Sequence, residues 1–185
     1  DDGTCDMDTA FVQIIHNSPS PTVDVYVDGA IAIEGFMFRQ ATAILELPTM
    51  FEVGIAPTGE AVIATFPFEL VEDMEYVVVA SGILENTDTP FDLVASQTTF
   101  TPTDSMVGVN VYHGSTDTPA VDIYANDALL IPNLAYGGFS GYVEVDATTY
   151  VLGLALAGVP VPVVEFDADL STLGGQSAVV FASGF

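Results

Sequence analysis

The sequence predicts an all-β protein, built as two tandem β-sandwich domains of the immunoglobulin-like, Greek-key type related by internal duplication. Three observations carry this: a repeat spanning most of both halves, period-two alternation within short segments, and turn residues recurring between them.

The repeat comes first. Val12-Gln13-Ile14-Ile15-His16-Asn17-Ser18 returns as Val109-Asn110-Val111-Tyr112-His113-Gly114-Ser115, and Val23-Asp24-Val25-Tyr26-Val27-Asp28 as Val121-Asp122-Ile123-Tyr124-Ala125-Asn126. The match continues at an offset of 98, pairing Phe38 with Tyr136, Glu46 with Glu144 and Val53 with Val151. Near the end Val79-Ala80-Ser81-Gly82 matches Phe181-Ala182-Ser183-Gly184, the offset having grown to 102.

Each half reads as strands. Val23, Val25 and Val27 alternate with Asp24, Tyr26 and Asp28, which puts valines on one face and polar groups on the other. Asp28-Gly29 and Asn126-Asp127 supply the positive-φ residues of tight hairpin turns. Further strands are expected over 43–47, 52–56, 75–80, 141–145 and 178–182. No stretch sustains a helical period with caps. These elements give an N-terminal extension over 1–10, a first sandwich over 11–100, a polar, proline-bearing linker over 101–106 and a second sandwich over 107–185.

Composition narrows the class. Half of the 185 residues are apolar, so there is material for a core. The longest uncharged apolar stretch, Tyr150 to Val164, is broken by Gly153, Gly158, Pro160 and Pro162. It is shorter than the ~20 residues a spanning helix needs, so no membrane span is expected. The opening Asp1-Asp2-Gly3-Thr4 has no basic or apolar leader character and reads as a mature start after signal-peptide removal. Twenty-six acidic residues face one base, Arg39, for a net charge of −25. Such a surface repels nucleic acid and calls for counterions, through adaptation to high salt or through calcium.

The segment His16-Asn17-Ser18-Pro19 followed by Val23-Asp24-Val25-Tyr26-Val27-Asp28-Gly29 resembles the signature of the DUF4397 family, a His-x-Ser-Pro element leading into a Val-Asp-Val-Tyr strand and a turn. In the second copy, His113-Gly114-Ser115-Thr116 loses the proline after the serine, and the loop to Val121 gains one residue. The resemblance covers both halves. It implies a secreted or surface-attached module with no established enzymatic activity.

Among candidate sites, His16 and His113 recur at equivalent positions, but neither has a recognisable nucleophile with a third orienting group. One histidine per half is also too few for zinc. Both are expected to be strand-end residues whose ring nitrogens bond the adjacent loop. Asp24 and Asp122, beside Tyr26 and Tyr124, are expected to accept hydrogen bonds from the preceding Ser-Pro-rich loop. Weak calcium candidates are Asp1, Asp2, Asp6 and Asp8 at the start, Glu72 and Asp73 before a strand, and the pair Asp167 and Asp169. None follows a known calcium-loop pattern. No catalytic residue and no cofactor other than calcium is expected. Cys5 cannot form an internal disulfide, because it is the one cysteine.

The two halves end differently. After Ala80-Ser81-Gly82 the first runs on through Phe91-Asp92-Leu93 to Phe100, one further strand. After Ala182-Ser183-Gly184 comes Phe185. The second sandwich is therefore expected to lack its last strand, and an uncovered edge recruits another chain. A head-to-tail homopolymer follows, a self-assembling extracellular or cell-surface filament with residues 1–10 as candidate donor strand and Cys5, Met7 and Phe185 as candidate intersubunit residues. The competing expectation is a cell-surface adhesion or ligand-binding module taking divalent cations or surface glycans.

Overall fold

The computed structural model describes residues 8–19, 21–84 and 86–184. The chain divides after Gln97 into two compact units. Each unit is a β-sandwich.

The first unit contains β1 (Thr9–His16), β2 (Val23–Val27), β3 (Ala30–Phe36), β4 (Leu45–Pro48), β5 (Met50–Pro57), β6 (Ala64–Glu69), β7 (Glu75–Ser81) and β8 (Asp92–Thr98). One sheet has the order β4-β1-β7-β8 and the other β3-β2-β5-β6. The chain thus crosses between sheets after β1, β3, β4 and β6. The central pair β1–β7 is parallel, which the crossovers permit and a hairpin would not. Alternation along β1 sends Ala10, Val12, Ile14 and His16 inward, where Val12 and Ile14 meet Val23 and Val25 of β2 and Val53 and Ile55 of β5. Each fully buried valine or isoleucine contributes about 1.5–3 kcal/mol relative to exposure.

The second unit repeats the plan with β9 (Met106–Ser115), β10 (Val121–Ala125), β11 (Ala128–Leu134), β12 (Phe139–Asp146), β13 (Thr149–Leu156), β14 (Val164–Asp169) and β15 (Gln176–Gly184). Its sheets are β12-β9-β15 and β11-β10-β13-β14. Among the described residues the first of these has three strands, where its counterpart in the other unit has four. Val107, Val109 and Val111 take the inward positions, against Val121 and Ile123.

Several sequence-based boundaries move. Thr9 pairs with Pro48, and Ala10 is fully buried, so both belong to the first sandwich and not to an extension. The acidic residues around them mask an inward alternation that already begins at Ala10. Met106 opens β9 and so leaves the linker. The match of Val53 to Val151 slips by one: Tyr26 pairs with Gly54, Tyr124 pairs with Gly153, and the residue equivalent to Val53 is Leu152. Each tyrosine lies across the strand from a glycine, and a Cβ built on Gly54 or Gly153 comes within 3.3 or 3.6 Å of the tyrosine Cβ. Asp28 and Gly29, like Asn126 and Asp127, adopt the predicted positive φ.

Candidate functional site: an apolar cleft in the second sandwich

The recurring polar residues come first. His16 and His113 are both fully buried at the ends of β1 and β9. The Ser18 N–H donates to His16 Nδ1 at 3.2 Å, and His16 Nε2 lies 3.3 Å from the Pro21 carbonyl oxygen. In the second copy the Ser115 N–H reaches His113 Nδ1 at 3.4 Å, and Nε2 lies 3.1 Å from the Pro119 oxygen. An Nδ1 that accepts leaves the proton on Nε2, which then donates to the carbonyl. Each ring is therefore a bracket spanning its loop. Burial holds the His16 pKa below the usual imidazole value, against the raising effect of the Pro21 contact.

Asp24 and Asp122 sit on the face expected to be polar, and both are buried. Their partners are not the preceding loop. Asp24 accepts the Gly35 N–H at 2.8 Å and the Gly59 N–H at 3.0 Å. Asp122 accepts from Asn133 at 2.7 Å and Gly158 at 2.8 Å. All four donors have positive φ. One of each pair sits in β3 or β11, where the register against β2 or β10 shifts, and the other in the turn after β5 or β13. Each carboxylate thus ties a bulge to a turn, filling both oxygens. The Gly35 amide, then the Gly59 amide, draws the Asp24 pKa below the usual carboxylate range. Sequence reasoning misses Gly35, Gly59, Asn133 and Gly158; their one signal is that they recur at offsets of 98 and 99.

Among the described calcium candidates, Asp169 engages its carboxylate in hydrogen bonds, and none of them is grouped with two others. Asp1, Asp2 and Asp6 lie outside the described residues, as do Cys5, Met7 and Phe185. The Asp8 carbonyl accepts the Thr49 N–H at 2.9 Å, and the Asp73 N–H donates to the Thr9 oxygen. Glu72 is exposed before β7, and Asp167 is exposed on β14. Asp169 Oδ1 takes the Ser171 hydroxyl at 2.6 Å, the Ser171 N–H at 3.0 Å and the Thr149 hydroxyl at 3.3 Å, and these bonds, Ser171 foremost, lower its pKa. Among the described residues no three His, Cys, Asp or Glu side chains are grouped to hold a metal ion.

The feature that separates the two copies is apolar. Between the sheets of the first sandwich the free volume is about 10 Å³. Between those of the second it is about 460 Å³, an open cleft lined by Val109, Ile123, Leu154, Phe166, Ala168 and Val180 among others. Two differences account for it. In the first unit β8 lies beside β7 and sends Leu93 into the core, while Phe91 packs on Phe66 with ring centroids 5.9 Å apart. In the second unit β15, the counterpart of β7, has β9 as its one strand partner among the described residues. Register also sets Phe51 opposite Phe68 and Tyr150 opposite Ala168. The stacked pair Phe51–Phe68, at 5.3 Å, is thereby replaced by a ring facing a methyl group. Phe166 pairs with Leu152 as Phe66 pairs with Val53, but it is 53% exposed.

The repeated brackets and clamps define a protein of two tandem, structurally equivalent β-sandwich modules. The chain belongs to the DUF4397 family, described as a domain of unknown function, whose model matches residues 10–107 and again 107–184. No curated protein matches the chain. Among solved structures it is similar to the Bacillus anthracis TIE protein at 12% identity and a TM-score of 0.29, over 95% of this chain and 34% of that one. The chain thus spans about a third of that protein's length. No helix among the described residues is long and apolar enough to cross a membrane.

Proposed function

We propose that this chain is a non-enzymatic, extracellular structural subunit that assembles head to tail into a filament, a strand from one copy completing the second sandwich of the next. The observation that carries this reading is the contrast of about 10 and about 460 Å³ between two copies of one fold. An apolar cleft of that size in water forfeits both transfer free energy and packing contacts. Beside it runs β15, whose outer backbone groups have no strand partner among the described residues. One extended segment answers both needs, since its main chain extends the sheet and its alternate side chains enter the cleft. A contact between unlike surfaces of identical subunits propagates unless it closes into a ring. The acidic surface fits assembly in saline surroundings or with divalent cations, where self-repulsion is screened.

Negative-stain microscopy of the purified chain at high concentration and high salt tests the reading. Filaments are expected. Monodisperse monomers under those conditions overturn it in favour of a surface adhesion or ligand-binding module, whose ligand would occupy the cleft.

A further inference from the structure

We infer that the turn joining β13 to β14 is a self-association face, through which the second sandwich of one copy meets that of another independently of strand donation. No charged residue lies between Asp146 and Glu165, the longest such stretch in a chain with 26 acidic residues. The fold presents the end of this stretch to solvent. Leu156, Val159, Val161, Val163 and Val164 are all exposed, Val161 at 64% and Val163 at 71%. The counterpart turn of the first sandwich, residues 57–64, exposes Val62 and Ile63 and carries Glu60. One copy of the turn is thus acidic and the other an apolar ridge, and an exposed apolar surface in acidic surroundings marks a contact.

The ridge is held in place. Asp122 accepts the Gly158 N–H at 2.8 Å, the Val161 N–H donates to the Val159 oxygen at 2.8 Å, and the Val163 N–H donates to the Leu154 oxygen at 2.7 Å. Pro160 and Pro162 fix two φ angles within it. Pro162 also rides so close on Gly153 that a Cβ there would come within 2.8 Å of its ring. A surface already ordered binds with little further loss of conformational freedom.

Charge selects the occupant. A second copy carries the same net charge of −25 and is repelled wherever acidic surfaces meet. Over the uncharged turn two copies approach without opposing carboxylates, and salt that screens the remaining surface strengthens the contact. β14 is the edge of its sheet, yet Glu165, Asp167 and Asp169 are exposed along it, so pairing two β14 edges would set like charges in a row. The contact is therefore made by turn side chains, ridge on ridge. Such a like-on-like contact closes at two copies. It adds a lateral cross-link between filaments to the head-to-tail reading, and it stands as a dimer without that reading.

The full chain provides the test. Val161→Cys in a Cys5→Ser background gives each chain one thiol, on the ridge. Mild oxidation at high salt is expected to give disulfide-linked dimers on non-reducing electrophoresis, nothing larger, collapsing on reduction. Ile63→Cys in the same background, on the turn of the first sandwich, is expected to stay monomeric. Val163→Glu added to Val161→Cys is expected to lose the dimer with the melting temperature kept, and Val163→Leu to retain it. Equal dimer yields from Val161→Cys and Ile63→Cys overturn the proposal. So does binding of the wild type to phosphatidylcholine vesicles without disulfide dimers, which would assign the ridge to a lipid surface. Where negative stain shows filaments, Val163→Glu is expected to separate bundles into single filaments of unchanged length. Shortened filaments overturn the lateral contact by placing the turn in the axial one. Dimers without filaments uphold the ridge and overturn the filament reading.

Discussion

The imidazole Nε2 of His113 lies 3.1 Å from the carbonyl oxygen of Pro119, and with its other nitrogen on the Ser115 N–H the ring bridges the two ends of one loop. His16 does the same between Pro21 and Ser18. A residue type often met in catalysis is used here as a rigid, two-ended hydrogen-bonding strut. Replacing it with alanine leaves a half-buried amide and a carbonyl without their ring partner. His113→Ala should cost about 1–3 kcal/mol, read by urea unfolding, with hydrogen exchange at Ser115 showing the loss locally.

The strut in the first sandwich carries a pH signature. The folded His16 pKa is depressed by burial, so the unfolded chain binds a proton first as pH falls. The stabilisation is complete above the unfolded value of about 6.5 and is lost on descending through the folded value. At high salt, where general repulsion is screened, thermal stability of the wild type should fall below about pH 6.5. His16→Gln should lose that slope, and an unchanged slope would count against a neutral buried ring.

The carboxylate clamp gives a second acid limb. Asp24 is held ionised by the Gly35 and Gly59 amides, so its contribution is present above the unfolded carboxylate pKa of about 3.9 and disappears as pH falls through the lower folded value. Asp24→Asn keeps the shape but turns one acceptor into a donor facing an N–H. Lower melting temperature and faster exchange at Gly35 and Gly59 together are the expected result. Loss at one amide alone would mean the side chain re-seats on the other.

Closure of the first sandwich rests on β8. Leu93→Ala should cost about 2–5 kcal/mol by opening a cavity in an otherwise filled core. Hydrogen exchange should place the loss in the first unit and leave β9 protected. The converse substitution, Ala168→Phe, restores in the second sandwich the ring that Phe68 provides in the first. It should leave the subunit folded and shorten or abolish filaments by occupying the cleft, as seen by negative stain.

Charge sets the remaining expectation. With 26 acidic groups against one base, repulsion opposes the compact state at pH 7, and melting temperature should rise with sodium chloride over the range in which the Debye length shrinks from about 30 to about 3 Å. A specific calcium site would add a rise with calcium at constant ionic strength that chelator removes.

Much of this was legible in the residues. The His-x-Ser and Val-Asp-Val-Tyr repeats exposed the duplication because the histidine and aspartate side chains there are buried and bonded to main-chain groups, which fixes their identity. Asp28-Gly29 announced its turn because few residues tolerate positive φ. The true partners of Asp24 were hidden because they are main-chain amides, which leave almost no trace in side-chain type. The preceding loop was the wrong partner for the same reason: alternation reports which face a residue takes and not which main-chain segment covers that face. The slip from Val151 to Leu152 came from one residue gained before β13, too small a shift to see where Val, Leu and Ala alternate freely. Most of the cleft was invisible as well, since it depends on Ala168 standing where Phe68 does, an equivalence that register alone reveals.

The clamp made by Asp24 and Asp122 has a consequence for how such modules diverge. A carboxylate that grips peptide bonds is indifferent to the side chains those bonds carry, provided the backbone can turn left-handed. Asn133 in place of Gly35 is one such exchange already made. The β3 and β11 bulges and the turns after β5 and β13 are therefore places where new sequence can be written without renegotiating the fold, and where a surface specificity can be grafted on a scaffold that stays the same.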